Sequence, residues 1–96
     1  ALKRFADSPE FIAAYERDVA EHLSKMRRHE IERLDYFHQT PDGAAKLGSG
    51  SGRSEVVAEM LGVLLGGGSA PSLEKMFVRA FPNSRKLLEE KLKSFQ

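Results

Sequence analysis

The chain has 96 residues, which allows one small hydrophobic core and excludes two, because chains of this size bury only about 60–70 % of their unfolded surface. Its 41 % hydrophobic and 30 % charged residues are ordinary for a globular protein, and a formal net charge of +1 provides no long-range field to attract nucleic acid. The sequence has no cysteine for disulfide or thiolate chemistry, and no apolar run of the roughly 18–20 residues that a membrane-spanning helix needs.

The first predicted element is a long helix that begins after Ser8. Ser8 is a suitable N-cap, Pro9 fits the first helical position, and Glu10 is favourable at the positive end of the helix dipole. The helix is predicted to end between Phe37 and Gln39, because the residue before Pro41 is disfavoured in helical geometry and the sequence TPDG is typical of a turn. Its length would be about 30 residues, or roughly 45 Å.

One apolar stripe runs along this helix, and we expect it to bind a partner surface. Its members recur at helical spacing, with polar Glu30 as the single interruption: Ile12, Tyr15, Val19, Leu23, Met26, Leu34 and Phe37. A lone helix cannot bury such a stripe by itself. Glu30 is interpreted as the boundary between two contact patches. Residues 11–26 would contact the downstream helical domain, and residues 31–37 would contact the end of that domain or a second copy of the chain.

A glycine–serine repeat follows, in the sequence KLGSGSGRS at residues 46–54. Residues 48–52 alternate glycine and serine without an apolar or charged side chain, which is typical of a flexible spacer. The flanking dipeptides Lys-Leu and Arg-Ser are ones that common restriction sites encode. The pattern predicts a single-chain fusion, in which an engineered linker at 48–52 joins a partner-helix segment, 1–47, to a binding domain, 53–96.

Three short helices are predicted downstream of the repeat. Ser54 would cap the first, which ends near Leu65 before the glycine-rich GGGSAP; Ser72 would cap the second; and Pro82 would open the third. The first is apolar around most of its circumference, so it requires burial on more than one side. The predicted groove that receives the long helix comprises Val56, Val57, Met60, Leu61, Leu64, Met76, Phe77, Phe81 and Leu88.

Residues 54–96 resemble the small helical hub domains of transcriptional coregulators, of the nuclear coactivator binding domain type. The resemblance rests on the order of a capped apolar helix, a Gly/Ser/Pro loop, a short apolar helix, and FPNSRKLLEEKL, which restarts with a proline-containing cap. It covers about 43 residues and implies a domain that cradles an amphipathic partner helix, without indicating a target or a specific residue.

No arrangement in the sequence indicates catalysis, a cofactor or a metal. His22 and His29 are seven residues apart with Met26 between them, whereas a metal site would need a closer pair and a third ligand. The basic sequence KMRRHEIER contains two glutamates, and residues 1–47 carry eight basic and nine acidic side chains, a net charge of −1, so nucleic-acid binding is not expected. Asp18 is interpreted as part of a solvated helix face, in an i, i+4 pair with His22.

The predicted fold is therefore all-α, an orthogonal or bundle-like four-helix assembly with one long helix packed on three short ones. The expected function is protein–protein interaction, scaffolding or regulatory, in which the two segments bind each other and residues 31–37 allow further self-association. The alternative is a natural single-chain four-helix domain that binds nucleic acid or acts as a scaffold. Neither a small-molecule substrate nor a membrane is expected. The charged first ten residues lack the apolar core of a signal peptide, which predicts an intracellular protein, nuclear or cytoplasmic.

Overall fold

The chain folds into α-helices in the computed structural model, which describes residues 2–67 and 71–94 and gives only the backbone of Leu2 and Lys3. Within those ranges there is no strand, and the seven α-helices are α1 (Leu2–Ala6), α2 (Pro9–Glu21), α3 (Arg28–Arg33), α4 (Asp35–His38), α5 (Gly50–Leu64), α6 (Pro71–Ala80) and α7 (Pro82–Lys93). The predicted all-α class is confirmed. Throughout the same ranges, every helix lacks the length and apolar content needed to cross a bilayer.

The predicted single long helix is wrong, because the chain leaves helical geometry between α2 and α3. Helix α2 begins as predicted, with the Ser8 hydroxyl accepting from the Phe11 N–H at 3.3 Å and Pro9 at the first position. It ends at His22, where a one-turn 3-10 helix over Leu23–Lys25 takes over, and Met26 and Arg27 are extended.

Burial explains this break better than local propensity does. A straight helix of about 30 residues would measure roughly 45 Å, which exceeds the longest dimension of the molecule, 41 Å. By turning at 22–27, the chain buries Leu23 completely and returns Leu34 and Phe37 to the same core. The predicted boundary at Glu30 therefore lies in the first turn of α3, where its Oε1 accepts from the Arg27 N–H at 3.1 Å.

The glycine–serine repeat differs most from its prediction, since it begins helix α5 instead of forming a flexible spacer. Ser49, not Ser54, is the N-cap, and its hydroxyl accepts from the Gly52 N–H at 3.1 Å. Gly52 is buried against α4: a Cβ there would lie 2.6 Å from the Phe37 carbonyl oxygen and 2.6 Å from the His38 carbonyl carbon. Absence of a side chain at this position thus permits the close approach of the two helices.

The two C-terminal helices follow the predicted order. Helix α6 ends at Ala80, one residue before the predicted end, and α7 begins at Pro82 as expected. Ser72 is not a cap, because it lies inside α6 as its second residue. The stretch GGGSAP is only partly described, since residues 68–70 lie outside the described ranges.

Helix α5 is buried on more than one side in its middle, as its apolar circumference predicts, but Leu61, Val63 and Leu64 are only half-buried and Leu65 is 72 % exposed. It packs against α1, α4 and α7, while α2 packs along α7. One continuous core results, and its fully or nearly fully buried apolar side chains are Ala6, Phe11, Tyr15, Val19, Leu23, Leu34, Phe37, Val56, Val57, Met60, Met76, Phe77, Ala80, Phe81 and Leu88. In the described residues, seven α-helices thus replace the predicted four-helix arrangement.

Replacing Gly52 by alanine is expected to destabilise the protein by roughly 1–3 kcal/mol, because the new methyl group would overlap backbone atoms of α4 that have little freedom to move. Gly50→Ala is the matched control in the same helical turn, where the added Cβ would meet nothing closer than the Arg53 side chain at 3.6 Å. We expect that change to be neutral or to stabilise by up to about 1 kcal/mol. Urea unfolding of both variants measures the difference, and equal effects would contradict the close packing of Gly52.

Candidate protein-binding interface

The residues predicted for the two sides of the interface come together in one core. From the N-terminal segment, the structure buries Tyr15, Val19, Leu23, Leu34 and Phe37, whereas Ile12 and Met26 are only half-buried. From the C-terminal segment it buries Val56, Val57, Met60, Met76, Phe77, Phe81 and Leu88, with Leu61 and Leu64 half-buried. Both segments therefore present the apolar faces that their spacing predicts, apart from these four positions.

The departure at Ile12 has a simple geometric cause. Phe11, which is 1 % exposed, takes the place in the core that the spacing assigned to Ile12. The buried residues of α2 are Phe11, Tyr15, Asp18 and Val19, so the buried face keeps Tyr15 and Val19 of the predicted stripe and differs from it by including Phe11 and Asp18 in place of Ile12. Phe11 and Tyr15 are aromatic residues four positions apart, and this spacing is the sequence signal that could have indicated that Phe11 is buried.

Aromatic rings from both segments form the middle of the interface. The ring of Tyr15 stacks on Phe81 with centroids 5.8 Å apart and an interplanar angle of 8°. Phe37 lies tilted against Phe77 at 4.6 Å, and Phe77 in turn contacts Phe81 at 5.4 Å. Such pairs add about 0.5–1.5 kcal/mol each beyond the area that they bury. The contact between the segments is therefore specific in geometry as well as apolar.

A buried carboxylate joins α2 to the start of α7, a role that the sequence did not indicate. Asp18 has no exposed surface, and its two oxygens accept four hydrogen bonds, from the backbone N–H and the side chain of both Asn83 and Ser84, at 2.7–3.0 Å. The first N–H groups of a helix have no partner within that helix. Asp18 therefore supplies from α2 the capping carboxylate that α7 lacks in its own sequence, and the predicted solvated pair with His22 is wrong.

The phenol of Tyr15 provides a second polar link across the core. Its hydroxyl donates to the Phe37 carbonyl oxygen at 2.9 Å, and the side chain is 2 % exposed. Burial raises the pKa of Tyr15 to about 12, with the Ser49 backbone and the Arg53 charge acting in the opposite direction. The neutral phenol is thus the form that the folded protein favours.

Two ion pairs close the interface at its edges. The Arg53 guanidinium donates to the Ala6 carbonyl oxygen at 2.6 Å and to the Asp7 carboxylate at 3.0 Å, which fastens the end of α1 to α5. The Arg79 guanidinium donates to Glu30, joining α6 to α3. The Arg27 backbone N–H, and after it Arg79, lowers the pKa of Glu30 below its usual value.

Residues 31–37, the predicted self-association patch, present little apolar surface. Leu34 and Phe37 are buried in the chain's own core, Ile31 is half-buried, and only Tyr36 is well exposed, at 59 %. The neighbouring His38 is buried too, with Nδ1 2.7 Å from the Thr40 hydroxyl and Nε2 3.1 Å from the Ile31 carbonyl oxygen. A second copy could reach the two apolar anchors only if this part of the fold opened.

A groove of about 730 Å³ lies between α2 and the segment that leads into α5. Its walls include the apolar side chains Tyr15, Val19 and Leu47, with Glu16, Lys46 and Arg53 among its polar members. No three His, Asp or Glu side chains of the described ranges lie together as a metal site. Comparison of the sequence and structure with protein-family models, with curated proteins and with solved structures gave no match.

Replacing Asp18 by asparagine is expected to cost roughly 2–4 kcal/mol of folding stability, because an amide group cannot accept all four hydrogen bonds and leaves buried donors of α7 unpaired. The same change at exposed Asp42 should stay within about 0.5 kcal/mol. Thermal or urea unfolding provides the comparison. Similar stabilities of the two variants would show that the capping carboxylate contributes little.

The stability of the protein is expected to fall as the pH rises from about 10 to about 12. The pKa of Tyr15 rises from 10.0 to about 12 on folding, so the unfolded chain loses this proton first and is favoured increasingly above pH 10; below that pH the contribution is fully present. Its size is roughly 2–3 kcal/mol. Tyr15→Phe, measured by urea unfolding across this range, should lose that part of the slope. The pKa of the exposed Tyr36 is raised as well, by its hydrogen bond to Glu55, so Tyr36→Phe should remove a smaller part of the slope and retain the contribution of Tyr15. Equal slopes for the wild type and Tyr15→Phe would contradict the assignment.

Proposed function

We propose that the chain is a non-catalytic protein-interaction module, in which an amphipathic segment, residues 1–47, binds the groove of a small helical domain, residues 53–96. The observation that supports this proposal best is the composition of the core. Tyr15, Val19 and Leu23 on one side and Val56, Phe77 and Phe81 on the other belong to a single buried cluster. Residues 54–96 also resemble coregulator hub domains, in which apolar helices bind a partner helix. We extend that mode of binding to this chain as part of the proposal.

An exposed stretch near the end of the N-terminal segment, just before the glycine–serine repeat, also supports the proposal. Residues 41–46 are all exposed, and over this stretch the only backbone hydrogen bond is the local one from Ala44 to Pro41, at 3.1 Å. By contrast, the contacts across the core include a stacked aromatic pair, the Asp18 cap and the Tyr15 hydrogen bond. Affinity between the segments would then come from buried apolar anchors, with polar pairs fixing the register.

A continuous single-chain scaffold domain is the second candidate, and Gly52 is the observation that favours it. This glycine belongs to the glycine–serine repeat, yet it is fitted against the backbone of Phe37 and His38. In that case the repeat is an integral part of one domain, and the two segments have no independent binding role.

Cutting the chain distinguishes the two candidates. A protease site placed within residues 42–45 leaves α4 and the α5 cap intact, unlike a site in residues 48–52. After cleavage, the proposal expects the fragments to keep their helical circular dichroism at high concentration and to lose it on dilution. A cleaved protein that is unfolded at every concentration would refute the interaction module and favour the single-chain scaffold.

Variants in residues 1–47 make this experiment specific. Leu23 has no exposed surface, so Leu23→Ala should weaken reassociation by roughly 2–4 kcal/mol through lost contacts and a cavity. Arg28→Ala is the control, because its side chain is 93 % exposed and paired only with Glu32 in the next turn. The Arg28 variant should change reassociation by no more than about 0.5 kcal/mol. Equal behaviour of the two variants would exclude a helix-in-groove interface.

A further inference from the structure

The basic sequence at residues 25–33 contains two glutamates, and both have partners in the structure. Glu32 is 3.3 Å from Arg28, and both oxygens of Glu30 are engaged, one by the Arg27 backbone N–H and the other by Arg79 of α6. The two carboxylates that interrupt the basic sequence are therefore already paired. Their charge does not neutralise the two remaining cations, Lys25 and Arg27.

These cations line a cavity of about 500 Å³ at the surface between the 3-10 turn, α3 and α6. Its lining residues are Lys25, Met26, Arg27, His29, Glu30 and Arg79. Three permanently cationic side chains thus face one carboxylate, even though the whole chain has a net charge of only +1. A second cavity, between α2 and α7, is balanced, with Arg17 and Lys86 opposed by two glutamates.

Lys25 and Arg27 have no carboxylate within ion-pairing distance among the described residues. Both side chains are exposed, so they can close on a ligand without first breaking a bond inside the protein. Arginine and lysine together provide the donors and the charge that bind phosphate oxygens most strongly. Met26 is the only apolar side chain in the lining, which makes an apolar ligand a poor fit.

We propose that this cavity binds a phosphate monoester through Lys25 and Arg27, with Arg79 as a third donor. The Glu30 carboxylate competes with the phosphate group for Arg79. The ester is either a small phosphate compound or a phosphorylated side chain of another protein, and the chemistry of recognition is the same for both. The site lies at the edge of the interface between the two segments, because Arg79 belongs to residues 53–96 and the other donors belong to residues 1–47. Its two main donors, Lys25 and Arg27, are both in residues 1–47, and the intact chain holds the cavity together whether or not the segments act as separate partners.

The test measures binding of inorganic phosphate and of a short peptide with one phosphoserine, using the unphosphorylated peptide as the blank. Amide chemical shifts of residues 25–31 are followed by NMR in the intact chain, with ionic strength held at about 0.15 M so that general screening is constant. Saturable shifts with either probe support the site. Equal affinities indicate that a free phosphate group suffices, whereas tighter binding of the phosphopeptide indicates a protein-borne ester.

Three variants separate a built site from general charge attraction. Lys25→Gln with Arg27→Gln should weaken binding by about tenfold or more, because charge-assisted hydrogen bonds are lost. Glu30→Gln keeps an acceptor oxygen for the Arg27 N–H but frees Arg79, and it should tighten binding several-fold. Arg33→Gln removes one positive charge from an exposed side chain of α3 that lies outside the cavity lining and has no ion pair among the described residues, and it should leave binding unchanged.

The Glu30 side chain is only 14 % exposed, whereas the other substituted side chains are at the surface, so the unfolding curve of each variant is recorded to show that the fold is retained. The proposal is overturned if neither probe gives saturable shifts below about 10 mM, a concentration that corresponds to very weak binding. It is overturned equally if binding persists in the Lys25 and Arg27 double variant, or if Arg33→Gln weakens binding as much as that variant does.

Discussion

The carboxylate of Asp18 is the constraint on which the arrangement of the helices depends. It lies in the last part of α2 and has no exposed surface, so it is stable only where buried donors surround it. The start of α7 supplies those donors in a fixed geometry, from Asn83 and Ser84. This pairing orients α7 along α2, and α5 in turn packs on α7. Apolar contacts supply most of the stabilisation, but they tolerate sliding and rotation, whereas a fully used carboxylate does not.

Glycine and serine at residues 48–52 show how one composition can serve two physical purposes. A repeat of small polar residues has the conformational freedom of a spacer, but it also lets a backbone approach another closely and offers hydroxyl groups for capping. Here Ser49 caps α5 and Gly52 touches α4. The chain thereby turns from α4 into α5 within a small space, and the ring of Tyr15 is covered by Gly48, where a Cβ would lie 3.3 Å from it.

Local signals in the sequence predicted the parts of the fold that local chemistry decides. Ser8 with Pro9, and Pro82, mark helix starts in the structure because capping and proline geometry act over a few residues. Apolar spacing also gave most of the core. The break after α2 could not be predicted in this way, since the apolar spacing continues through Leu23 and Met26, and only the size of the core forces a turn. Asp18 was missed because a carboxylate on a helix face has the same local pattern whether it is solvated or buried. Its partners are 65 and 66 residues away in the sequence.

The division of residues 28–38 into two very short helices has a consequence for how the molecule opens. Helix α3 has six residues and α4 has four, and helices of this length do not persist in water on their own. Their backbone hydrogen bonds exist only while Leu34, Phe37 and His38 are held by the surrounding elements. Slow amide exchange in this segment would therefore report unfolding of the whole domain, even though the segment looks, by its helix lengths, like the least stable part of the chain.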